Sequence, residues 1–252
     1  MPKAVVINPN TSRAMTAEIK QTAERIFVSP WSCEVVHAPG GPESLESWND
    51  YALASVAVMP IIAQNPQADG FVLACFGDPG LYPLKESCPV PVVGIAEASM
   101  SQALLLGAQF GILAGMRRAV ELMDNMVRTY GLAARYAGTE SLDMRVLDFE
   151  KDRVKTLEVL EAASLKLRSR GAEVLLLGCA GLTGFVSDMQ ARVAMPVIDP
   201  VEAGCRTLQS ICAAGLNTSH IGLYSRPASQ NMLDLEHVFS DAMAKNLRKP
   251  RH

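Results

Sequence analysis

The sequence predicts an α/β protein of two pseudosymmetric lobes, each a mainly parallel sheet flanked by helices, with the functional cleft between them. Three observations carry that prediction. Short aliphatic runs that stop at Gly, Asn, Asp or Pro alternate with longer helical stretches, as in parallel strands joined by crossover helices. The chain also matches itself: GFVLACFG (70–77) with EVLLLGCAG (173–181), PVVGIAEA (91–98) with PVIDPVEA (196–203), and AVVINPNTSRAMTAEI (4–19) with FGILAGMRRAVELM (110–123). All three pairs share one offset of about 105 residues, which chance rarely gives. Finally, 252 residues with 49% apolar and 19% charged side chains describe a globular chain long enough for a sizeable core.

The elements follow in order. Residues 4–7 form a strand, and Thr11 or Ser12 caps a helix over 16–27. A strand at 33–37 leads into the Pro/Gly-rich segment 40–44, a flexible loop placed to cover the cleft. Helix 51–64, strand 70–75, strand 90–95 and helix 99–106 complete a first lobe, assigned to 1–104. The second lobe, 105–215, holds strand 110–113, helices 117–130 and 152–170, strands 174–179 and 196–199, and helix 201–213. The remainder, 216–252, is a polar tail that returns to the first lobe or meets another subunit. Its Leu233, Val238, Met243 and Leu247 form an apolar stripe for one of those contacts.

Composition excludes several functions. The net charge of −3, without a basic cluster, leaves no nucleic-acid footprint. The longest uncharged stretch, 98–116, is broken by Ser99, Ser101, Gln102, Gly107, Gln109 and Gly111, so it reads as a buried helix and a strand and not as a membrane span. MPKAVVINPN shows no signal-peptide pattern, so a cytoplasmic location is expected. The 6 cysteines are then read as thiols. No CxxC occurs, and His37, His220, His237 and His252 show no ligand spacing, so no metal is expected.

Cys75 and Cys179 each end an apolar strand, occupy matching positions of the repeat and precede small, flexible residues, FGDPGL and AGLTGF. Cys33, Cys88, Cys205 and Cys212 have neither feature and are read as core or surface thiols; Cys205 and Cys212 share one helix face. Ligands of open α/β sheets bind beyond the carboxyl ends of the strands, so the repeat places the two thiols across one cleft. A thiol at the positive end of a helix has a lowered pKa. Two opposed thiols, one ionised, can take a proton from one face of a carbon and return one to the other, which racemises or epimerises it. Backbone N–H groups of Phe76, Gly77, Ala180 and Gly181 are placed to stabilise charge on a neighbouring carbonyl oxygen.

The motifs INPNTS (7–12), SLES (44–47), CFGDPGL (75–81), PVVGIAEA (91–98), LGCAGL (177–182) and PVIDPV (196–201) resemble the hydantoin and allantoin racemases of the aspartate/glutamate racemase superfamily, over about residues 3–218. The resemblance implies a cofactor-independent racemase acting on C5 of 5-substituted hydantoins, allantoin included, with Cys75 and Cys179 as the acid/base pair. It implies a small-molecule substrate, and a homo-oligomer is expected. Asn10 and Ser44 become substrate-binding candidates, Asn10 as a donor to a ring carbonyl or as a turn residue shared with Asn8. Asp78 either polarises Cys75 or caps the following helix, the cap being the expected role. Glu97 and Glu202 are expected to serve helix N-termini. One departure stands out: Ala114 and Gly115 occupy positions where related racemases carry hydroxyl residues. Either Arg117 takes over their task or the substrate differs. Rival readings are a decarboxylase or cis–trans isomerase of small carboxylic acids, and a two-lobed binding protein without catalysis.

Overall fold

A computed structural model describes residues 1–149 and 151–226. The first half of the chain runs β1 (Lys3–Asn8), α1 (Arg13–Ile26), β2 (Ser32–His37), α2 (Trp48–Gln64), β3 (Gly70–Leu73), α3 (Leu81–Ser87), β4 (Val92–Gly94) and α4 (Ile95–Ala103). The second half repeats the order: β5 (Phe110–Ala114), α5 (Arg117–Thr129), β6 (Tyr136–Ser141), α6 (Arg153–Ser169), β7 (Val174–Leu177), α7 (Val186–Val193), β8 (Val197–Ile198) and α8 (Pro200–Ala213). Each half forms a parallel four-stranded sheet, in the orders β2-β1-β3-β4 and β6-β5-β7-β8. One topology built twice is what the internal repeat predicts.

Strand position explains the strand sequences. The inner strands β3 and β7 (GFVL and VLLL) are buried throughout, because crossover helices cover both faces of a parallel sheet. The edge strands β2 (SCEVVH) and β6 (YAGTES) are half-exposed and correspondingly polar.

The halves share their packing. Helix α8 lies on β3 and β4 of the first sheet, while α4 touches β7 of the second and runs beside α8. One apolar cluster therefore contains Val6, Ile19, Val72, Ile112, Leu176, Val201 and Leu208 together. Small residues let α8 approach: a Cβ at Gly204 would sit 2.8 Å from Ile95 Cγ2, and one at Gly70 would sit 2.5 Å from Leu208 Cδ1. After α8 the chain returns to the first half, where Asn217 Nδ2 donates to Pro89 O at 2.7 Å and the Tyr224 ring lies under Lys85 Nζ at 5.6 Å. Leu233, Val238, Met243 and Leu247 lie outside the described residues. Among the described residues no helix is long and apolar enough to cross a membrane.

The expected boundaries shift in two instructive places. The strands expected to end on the cysteines stop at Leu73 and Leu177. The helix expected from 99 starts at Ile95, four residues earlier. Gly94 becomes its N-cap because Glu97 Oε1 accepts the Gly94 N–H at 3.1 Å and the Asp78 carboxylate accepts the N–H groups of Ala96 (3.1 Å) and Glu97 (2.9 Å). Asp78 is thus a cap, as expected, but of α4 and not of the helix that follows it. The second half solves the same problem differently. Asp199 sits at the cap position itself, accepting from Val201 N (2.9 Å) and Glu202 N (3.0 Å) and reaching Thr183 Oγ1 at 2.6 Å.

Candidate active site

The loops beyond β1, β3, β5 and β7 converge on a narrow cavity of about 50 Å³ between the two sheets. Two features aim the cysteines into it. The Ala74 N–H donates to Ile7 O at 2.8 Å, and the Gly178 N–H donates to Leu113 O at 2.8 Å, so each chain leaves its strand in register with the neighbour. Position 178 accepts only glycine without adjustment, because a Cβ there would stand 2.7 Å from Leu113 O. Cys75 and Cys179 both line the cavity, with Asn10, Met15, Glu46 and Tyr51 around them. Each cysteine keeps some accessible surface, while protein atoms fill most of its surroundings. The other four cysteines lie elsewhere, and no group of residues that could hold a metal ion occurs among the described residues.

The electrostatics reverse one expectation. Neither thiol sits at the N-terminus of an α-helix: Cys75 enters a tight turn six residues before α3, and Cys179 precedes a single 3₁₀ turn, Ala180–Leu182. Burial therefore dominates. It pushes the Cys179 thiol up to about 12, opposed by the Gly181 N–H at 3.4 Å and assisted by Glu18 and Glu46. Cys75 is held well above the ordinary thiol value, first by burial, then by the facing Cys179 and by Asp78, with a hydrogen bond from the Tyr51 phenol opposing. Burial thus favours the neutral form of both thiols. Asp78 is buried and pushed up to about 7, chiefly by desolvation and then by Glu97, while the Tyr130 phenol, donating at 2.7 Å, and the α4 N–H groups pull the other way.

The remaining candidate residues divide. Phe76 and Ala180 are buried and line the cavity, and their N–H groups make no hydrogen bond to described residues. The Gly77 N–H is already given to Cys75 O at 2.9 Å, and the Gly181 N–H to the Cys179 sulfur. Two of the four expected donors are therefore occupied by their own turns. Asn10 lines the cavity; its Oδ1 accepts from Ser12 N at 2.9 Å and Asn8 Nδ2 at 2.8 Å, and its Nδ2 faces only the Met15 sulfur, 3.1 Å away. It serves the turn through its oxygen while its amide donor meets a weak acceptor. Ser44 does not line the cavity. It donates to Glu46 Oε1 at 3.1 Å, and the loop that carries it contributes Leu45 and Glu46 instead. Glu97 and Glu202 are structural: Glu97 binds Lys85 at 2.7 Å, and Glu202 pairs with Arg206 at 2.6 Å.

Arg117 does not stand in for a hydroxyl pair, since it is exposed and faces Glu121 at 3.8 Å. Gly115 lines the cavity, and a Cβ there would meet Phe149 Cζ at 3.0 Å and Met144 O at 3.2 Å. A hydroxyl side chain at this position would require the 144–149 segment to give by a few tenths of an ångström. Sequence reasoning missed Tyr51, Glu46, Met15, Met123 and Val146, all of which line the cavity. Glu46 and Tyr51 stand within or beside the SLES segment, which is the one signal that could have drawn attention to them.

Comparison with known proteins agrees with this geometry. Residues 5–208 match the family described as Asp/Glu/Hydantoin racemase. A hydantoin racemase of Paenarthrobacter aurescens is 35% identical over 236 residues, covering 92% of this chain and 100% of the relative. Among solved structures, an allantoin racemase from Klebsiella pneumoniae superposes with a TM-score of 0.88 at 30% identity, covering 96% of this chain and 100% of that one. An allantoin racemase from Pseudomonas fluorescens gives 0.88 at 31% identity, covering 92% and 100%. With the match running through both sheets and both cysteine turns, the chain belongs to the Asp/Glu/Hydantoin racemase family.

Proposed function

We propose that the protein racemises 5-substituted hydantoins, with allantoin among the candidate substrates, by proton transfer between Cys75 and Cys179. The observation that carries this reading is the pair of thiols at equivalent ends of equivalent strands on one narrow cavity. The C5–H bond of a hydantoin is acidified by the adjacent ring carbonyl. One cysteine, as thiolate, takes that proton and leaves an enolate, and the opposite thiol delivers its own proton to the other face. The product is the mirror image, and the enzyme is left with its thiol and thiolate exchanged. Proton redistribution between the two sulfurs resets it. The unengaged N–H groups of Phe76 and Ala180 are available to the enolate oxygen. Asn10 Nδ2 exchanges the Met15 sulfur for a ring carbonyl at little cost.

Charge favours a neutral ring over a carboxylic acid. Among the described residues lining the cavity the one charged side chain is Glu46, and no Lys, Arg or His is present. A substrate carboxylate would be desolvated there without a partner, which is costly. An imide ring offers N–H donors to Glu46 and carbonyls to the backbone donors instead. This weighs against the decarboxylase and carboxylic-acid isomerase readings.

The test is incubation with one enantiomer of a 5-substituted hydantoin, followed by chiral chromatography and mass. Conversion to a 1:1 mixture of unchanged mass is expected. A gain of water on ring opening would point to a hydrolase, and binding without conversion to a binding protein; either result ends the racemase reading.

A further inference from the structure

We infer that Tyr51 is a positioning residue for Cys75, its phenol seated on the turn that follows that cysteine and acting on the Cys75 sulfur more than on Cys179, which makes the two thiols chemically unequal. The catalytic meaning of this pairing rests on the racemase reading above. The pairing itself rests on packing.

Tyr51 lies in the first turns of α2, whose start is fixed by Ser47 Oγ accepting the Asp50 N–H at 3.2 Å. The hydroxyl end of its ring lies against the turn that follows Cys75. A Cβ at Gly77 would come within 2.1 Å of Tyr51 Cε1 and 2.4 Å of its hydroxyl oxygen, so the glycine is the seat of the phenol. Among the described residues the second half has no such group beside its cysteine. There the Cys179 sulfur receives the Gly181 N–H, and the space beside Gly181 is taken by Val146 and Phe149. The repeat therefore holds for the thiols and fails for their donors.

The surroundings make that single donor consequential. Cys75 faces Cys179 across the cavity, Asp78 in its own turn and Glu46 on the cavity wall; behind Asp78 stand Glu97 of α4 and Tyr130 of α5. Of these, Cys179 and Asp78 oppose a further negative charge at Cys75, and the Tyr51 O–H acts in the opposite sense. The phenol also forms, with Met123, the shared wall between the thiol cavity and a second one of about 280 Å³ that reaches Trp48, Tyr82 and Met126.

The experiment is site-resolved alkylation of the full-length protein with iodoacetamide across pH 7–10, read by peptide mass spectrometry, in the wild type and in Tyr51→Phe. The substitution keeps the ring against Gly77 and removes only the donor. We expect Cys75 to label about tenfold more slowly at pH 8, because a hydrogen bond to a charged sulfur is worth roughly one order of magnitude. Cys179 should change by less than about twofold, since its sulfur takes its hydrogen bond from the Gly181 N–H. Equal slowing at both sites, or no change at Cys75, overturns the assignment. The buried Cys88 and Cys205 report integrity of the fold. Should Tyr51→Phe unfold the protein, Gly77→Ala, which displaces the phenol, must give the same selective loss at Cys75, and failure to do so also overturns it. No substrate takes part, so this outcome and the racemase test fail independently.

Discussion

Cys75 and Cys179 line one cavity from equivalent turns of the two halves, and burial raises both thiols above their ordinary range. The repeat marked both sulfurs, because two halves that keep the same atom at the same strand end point to chemistry rather than packing. Their ionisation was misread, because an expected helix N-terminus is a tight turn on one side and one 3₁₀ turn on the other. Tyr51 and Glu46 were not legible, since an inward-facing tyrosine early in a helix has the sequence of any other. Asp78 gives a test at this scale. Its carboxyl is raised from an ordinary 3.8 to about 7, so the folded state holds a proton that the unfolded chain has already released. The associated stability is complete below about pH 4 and is lost as pH rises through 7. Urea unfolding at pH 5 and pH 8 should therefore show the wild type losing more stability across that interval than Asp78→Asn, whose amide cannot ionise. Equal losses in the two proteins would show that Asp78 is already ionised at pH 5.

At the scale of elements, the inner strands and the longer helices were readable because burial on both faces writes an uninterrupted aliphatic run. Three elements were not. The edge strand β6 has the polar sequence YAGTES and includes Gly138 at φ 121°. Helix α3 is 7 residues with Pro83 in its first turn, which a helix start tolerates. Helix α7 is 8 residues between Gly184 and a left-handed Ala194. The exchanged caps give the element-scale prediction. In the first half the carboxylate comes from Asp78 and fills the place of a side chain at Gly94, where a Cβ would lie 2.4 Å from it. Gly94→Ala should therefore destabilise the protein by about 1–3 kcal/mol, the range for inserting a methyl into packed surroundings, measured by denaturant unfolding. An unchanged midpoint would mean that the Asp78 carboxylate is not held there. In the second half Asp199→Ala should cost about 0.5–2 kcal/mol through loss of the α8 cap, and an equally stable variant would contradict the hydrogen bonds assigned to it.

At the scale of the molecule, the two-sheet plan was legible from the offset of the repeat, whereas the exchange of α4 and α8 between halves was not. Helix-on-sheet contacts such as Gly204 against Ile95 and Val72 leave no periodic mark in a single sequence. That shared core holds the two cysteine turns in fixed relation, and it surrounds both sulfurs with protein. The consequence is a pH dependence of the whole enzyme. With both thiols raised, the reactive thiolate is a minor species at neutral pH and grows about tenfold per unit. We expect kcat/KM to rise with a slope near one between pH 6 and pH 8. A flat profile over that range would mean that one sulfur is ionised at rest, against the burial described for both.

The most direct test of the two-thiol account is to follow C5 deuteration and inversion together, in deuterated water, for wild type, Cys75→Ser and Cys179→Ser with each enantiomer. The wild type should invert with deuterium incorporated at C5. Each single variant should lose inversion by at least about 100-fold, the lower end of what a positioned acid or base contributes, while any residual exchange proceeds without inversion. Inversion that survives intact in both variants would show that the sulfurs at 75 and 179 are not the proton carriers.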